Sequence, residues 1–136
     1  MKKIILGLAV LLVFVVTESC KKKKDGNDGG CGEQAIKVAT LPAVNTVDPP
    51  APGTSFPLVV NIETMPPSGA KIVVSAKAES GSSTPYFTET RENTTASNSF
   101  TITNTPVGVS CMVTVTVTSK TCNTNTWSGS YRYTAK

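Results

Sequence analysis

There is no histidine in this chain. That removes the commonest general base and the commonest neutral zinc ligand from the list of chemistries it could run. Also missing are a glycine-rich phosphate loop, a nucleophile elbow and cysteines paired at metal-ligand spacing. Aromatics make up only 6% of the residues, with a single tryptophan, so a core here must be built mainly from aliphatic side chains. A clustered basic face is absent as well. The net charge of +4 is concentrated near the start of the chain; from Glu33 onward seven Lys or Arg stand against six Asp or Glu, a balance of +1. Nucleic acid is therefore not an expected partner. Glu89 and Glu92 flank Arg91 and read as a solvated charge cluster on an edge strand, where charge discourages unwanted pairing. These absences lead us to expect no enzyme and no cofactor.

What is present begins at the N-terminus. Met1, Lys2 and Lys3 precede an apolar run over 4–16, and Thr17, Glu18, Ser19 and Cys20 follow it, with lysines at 21–24. A basic start, a short apolar run and a small residue before a cut form the layout of an export signal. The run falls short of the roughly twenty residues a spanning helix needs. An uncleaved signal anchor is the alternative.

The stretch Thr17-Glu18-Ser19-Cys20 resembles the lipobox of bacterial lipoproteins, with Thr17 where leucine is usual and Glu18 where a small residue is usual. The resemblance implies that 1–19 is a cleaved signal peptide and that Cys20 carries the lipid, making the membrane a partner through that anchor. It also implies a place in a bacterial cell envelope. Lys21 lacks the aspartate that marks inner-membrane retention in enteric members, so the implied site is the outer membrane. Residues 20–32, rich in Lys, Asp, Asn and Gly, read as a flexible tether, because they offer nothing apolar to bury. A calcium loop is not expected there, since no glutamate closes it at the required spacing.

From residue 33 to 136 the pattern is that of strands. Threonine and valine dominate, both suited to a pleated surface. Over 110–118 they alternate, with Cys111, Val113, Val115 and Val117 on one face and Met112, Thr114, Thr116 and Thr118 on the other. Comparable runs occupy 34–41, 56–64, 71–78, 86–91, 98–104 and 127–134, separated by Pro, Gly, Ser and Asp clusters. Seven short strands in about a hundred residues predict an all-β fold, a seven-stranded antiparallel β-sandwich.

Residues 99–115 resemble the E strand, EF corner and F strand of fibronectin type III domains, and 58–69 resemble strand B and its turn. Thr105 stands near that family's leucine, Cys111 near the tyrosine that caps the corner, and Ile62 where tryptophan is usual. Fibronectin-III-like and immunoglobulin-like topologies both remain open on these residues.

Besides Cys20 the chain has Cys31, Cys111 and Cys122. An exported chain can hold a disulfide. Strand 110–118 would span roughly 25 Å at 3.3 Å per residue, separating Cys111 from Cys122. Bridging needs α-carbons within about 7 Å, so those two should not pair. Six reversals of direction return the chain to its starting pole before Cys122, which places Cys31 beside it. A Cys31–Cys122 disulfide is the expectation, with free thiols as the alternative; Cys111 reads as a small core residue.

Trp127, Tyr131 and Tyr133 share one face of the last strand. Pointing inward they are core; pointing outward they form a flat strip for stacking on a sugar ring or a partner protein. The functional expectation is a non-catalytic envelope lipoprotein whose sandwich is a structural or protein-interaction module. The alternative is a carbohydrate- or ligand-binding module that uses Trp127, Tyr131 and Tyr133.

Overall fold

The computed structural model describes residues 30–80 and 84–136. The expected signal peptide, the expected lipidation site Cys20 and the expected tether up to residue 29 lie outside the described residues.

The alternation of valine and threonine builds a two-faced strand. In the sixth strand Cys111, Val113, Val115 and Val117 are fully buried, while the intervening threonines face outward. Leucine, isoleucine and valine take the same inward positions in the second and third strands, at Leu58, Val60, Ile62, Ile72 and Val74. At about 1.5–3 kcal/mol for each large aliphatic side chain removed from water, this inner layer is the main source of stability.

Seven strands result: β1 (Val38–Leu41), β2 (Phe56–Ile62), β3 (Ala70–Ala78), β4 (Phe87–Arg91), β5 (Ser97–Ile102), β6 (Ser110–Ser119) and β7 (Thr126–Thr134). They form two sheets of antiparallel neighbours, ordered β1-β2-β5 and β4-β3-β6-β7, with the apolar faces enclosed between them. The fold is an all-β sandwich, as the strand pattern predicts.

The chain departs from that pattern in two places. The first strand begins at Val38 rather than at residue 34. Residues 34–36 are extended, but the β6–β7 loop holds them: the Ile36 N–H donates to Asn125 Oδ1, and Asn125 Nδ2 donates to the Gln34 carbonyl. Asn125 is only 2% exposed, and this is how its buried amide is satisfied. The second departure is the stretch after β1. It crosses to the other sheet and runs parallel to β7, with Val47 bridged to Arg132 and Ala51 to Ala135. Main-chain bonds from Asn45 to Ser130, Arg132 to Thr46 and Asp48 to Arg132 hold it there. Its prolines and single apolar residues carry no strand rhythm, so the sequence reads only a turn.

The flank opposite this segment is closed by a side chain. Arg91 on β4 donates to the Ser99 carbonyl on β5 at 2.9 Å, tying together the outer strands of two different sheets. Glu89 pairs with it at 2.6 Å, and its guanidinium lies 4.2 Å from the centre of the Phe100 ring. The charge cluster on this edge strand thus occupies a main-chain acceptor that another strand could otherwise use.

Candidate functional site

The cysteines set the orientation of the molecule. Cys31 and Cys122 form a disulfide with α-carbons 6.0 Å apart, and Cys111 is a buried free thiol. The chain therefore enters at the pole of the β6–β7 loop. Glu33 reinforces this pole by accepting hydrogen bonds from Asn125, Ser119 and Thr121, which hold its carboxyl below the usual carboxylate range.

The three aromatics of β7 point inward. Tyr131 and Tyr133 are each 3% exposed, and Trp127 is half-buried against the core. The outward strip that would stack on a sugar is therefore not formed, because the parity that faces the solvent on β7 belongs to Ser128, Ser130 and Arg132. The Trp127 indole lies over Gly129. A β-carbon at that glycine would stand 2.6 Å from Trp127 Cη2 and 2.6 Å from Val44 Cγ1. Gly129→Ala is accordingly expected to cost about 1–3 kcal/mol by displacing the ring and the crossing segment. Denaturant unfolding followed by Trp127 fluorescence measures it, and an unchanged midpoint would show that the contact is slack.

Tyr133 supplies what the sixth strand lacks. It sits directly across from Cys111 in the β6–β7 register. Its hydroxyl hydrogen-bonds Thr105, in the β5–β6 connection, at 2.7 Å and Tyr86 at 2.6 Å. The β5–β6 connection is thus held from the neighbouring strand, across from the small buried Cys111. Burial raises the pKa of both phenols, and for Tyr86 the hydrogen bond with Tyr133 adds to it.

Beside Tyr131 and Tyr133 a cleft opens. Two prolines create it. Pro42 follows the last residue of β1, and Pro57 has no N–H to offer on the side of β2 that faces β1, so the ladder between the two strands stops at Leu41 and Val59. The chain then arches over the gap on its way to β7. The space left is about 450 Å³, within the range of small-ligand sites, and its lining is mostly apolar. Leu41, Phe56 and Pro57 form one wall, Tyr131 and Tyr133 another, and Asp48 is the one ionisable carboxylate among its residues. Leu41 remains 70% exposed, and Val47 on the crossing segment 71%. Neither residue stands out in the sequence, since the cleft arises where two chain segments part.

Tyr131 is the unusual member of this wall. Its hydroxyl is buried and has no hydrogen-bond partner among the described residues. Burial first, then the charges of Tyr133 and Asp48, push its pKa well above the ordinary phenol value, so at neutral pH it carries a proton to donate.

These features define a β-sandwich with an apolar, partly exposed cleft lying toward the pole opposite Cys31. No protein-family model matches the chain, and neither does any curated protein or solved structure.

Proposed function

We propose that this chain is a non-catalytic, lipid-anchored protein of a bacterial cell envelope whose sandwich docks another protein at the cleft beside β1. The observation that carries the reading is the exposed apolar rim at Leu41 of an apolar cleft set far from the point where the tether enters, with a second exposed apolar residue, Val47, on the crossing segment. A domain anchored through Cys20 would present that rim away from the membrane. The departure from the constant-type immunoglobulin arrangement, with β4 paired to β3 rather than to β5, supports the fibronectin-like alternative for its class. Fold analogy alone does not give a function, so the weight rests on the rim.

Two measurements in the native host test this reading. Intact mass of the membrane-extracted protein is expected to begin at Cys20 with acyl groups attached; a mass retaining Met1 would overturn the anchor. A photo-crosslinking side chain at position 41 is expected to trap an envelope protein, while the same group at Thr101, exposed on β5, traps none. Equal labelling from both positions, or none from either, would overturn the docking role.

A further inference from the structure

The edge of β1 beside the cleft is open, and its hydrogen-bonding groups have a defined spacing. In β2 the Ile62 N–H donates to Ala96 on the β5 side, whereas the Glu63 N–H donates to Lys37 on the β1 side. Even-numbered residues of β2 thus direct their main-chain groups toward β5. Their register partners in β1, Val38 opposite Ile62 and Thr40 opposite Val60, must direct theirs away from β2. At Ile36, two residues earlier, the outward N–H is taken by Asn125. Among the described residues nothing takes the main-chain groups of Val38 and Thr40. They stand roughly 6.7 Å apart, the repeat of a strand that would pair with them.

Next along the chain come Leu41 and the cleft, with Tyr131 in its wall and that residue's buried hydroxyl unpartnered among the described residues. The Asp48 carboxylate lies there too and, among the described residues, forms no ion pair or side-chain hydrogen bond. We propose that this edge and cleft form one site for an extended segment of a partner protein. The segment adds as a strand along Val38 and Thr40, places an aliphatic side chain against Leu41 and Phe56, and brings a lysine or arginine to Asp48. On binding, the Tyr131 hydroxyl turns toward the cleft and donates a hydrogen bond to a main-chain carbonyl of the incoming segment. Strand addition supplies affinity through the main chain, while the pocket and the carboxylate supply selectivity. The occupant is a peptide rather than an apolar small molecule, because an open ladder edge runs into the cleft and an acid faces it. This inference rests on the proposed docking role and names the partner's chemistry.

The test selects short peptides from a random display library against the full-length lipidated chain in detergent. Enriched peptides are expected to be extended, with Lys or Arg near an aliphatic residue. Leu41→Glu and Asp48→Lys are each expected to weaken them about tenfold or more, the size of a hot-spot loss. Tyr131→Phe is expected to weaken them by a smaller factor without lowering the melting temperature, since it removes a buried hydroxyl that has no partner in the free protein. Methylating alternate peptide amides should abolish binding in one phase and spare it in the other. Leu41→Glu should melt like the parent, because residue 41 is exposed.

Failure to enrich any peptide would overturn the proposal. So would peptides indifferent to all three variants, or a chain that dimerises through this edge and becomes monomeric on Leu41→Glu. If the crosslinker at position 41 still traps an envelope protein while peptides ignore Asp48 and the β1 edge, the docking role stands and the strand-addition mode falls. If position 41 traps nothing, both fall.

Discussion

Removing the Cys31–Cys122 crosslink, by Cys31→Ser with Cys122→Ser or by reduction, is expected to destabilise the domain by about 4 kcal/mol in the chain-entropy account of disulfides. The size follows from the loop it closes: the two residues are 91 positions apart, so nearly the whole domain lies between them. At about 4–8 °C per kcal/mol for a domain of this size, the melting temperature should fall by roughly 15–30 °C. The serine pair leaves the bonds of Asn125 and Glu33 in place, so the experiment separates the covalent constraint from the polar clamp around it. Thermal unfolding with and without reductant measures the difference. A shift of only a few degrees would mean that the clamp alone sets the position of the N-terminal segment and that the crosslink adds little to it.

The second large effect is expected in alkali. All three tyrosines of the chain, Tyr86, Tyr131 and Tyr133, have pKa values raised above the ordinary 10, and burial is the first cause for each. A raised phenol pKa means that the folded protein holds the proton more tightly than the unfolded chain does. The corresponding stability is fully present below pH 10 and is lost as pH climbs from there toward the folded-state values. The phenolate absorbance band should therefore stay silent through pH 10, then appear in one cooperative step together with loss of the β-sheet signal. A gradual rise centred on the ordinary value, with the fold intact, would show that the Tyr86–Tyr133–Thr105 cluster is open to water. Tyr133→Phe is the natural companion, since it leaves Tyr86 and Thr105 each without the partner they share.

Much of the architecture was legible because strand positions here follow simple chemistry. Valine and threonine alternate at period two, and proline, glycine and serine punctuate the runs. The cysteine pairing was legible for the same reason: counting reversals places residues 31 and 122 at one pole without any side-chain detail. Parity, however, says only that Trp127, Tyr131 and Tyr133 share a face; it does not say which face is covered. That depends on the opposing sheet. The capping of the β5–β6 connection was hidden too, because Tyr133 performs it from a strand twenty-two residues further along than Cys111. The cleft left no local mark. Pro42 and Pro57 are readable as ladder breakers, but that they stop the same ladder at the same end appears only once β1 and β2 are in register. The beginning of β1 was misplaced for a comparable reason, since residues 34–36 look like strand and are held by an asparagine eighty-nine positions or more away.

The site of chain entry also has a mechanical meaning. A pull on the N-terminal end reaches Cys31 and crosses at once to Cys122, between β6 and β7 of the four-stranded sheet. The load path bypasses β1 altogether. Tension from an anchored end would therefore bear on the β6–β7 hairpin, and the short edge strand beside the cleft would stay slack, its shape unaltered by drag on the molecule.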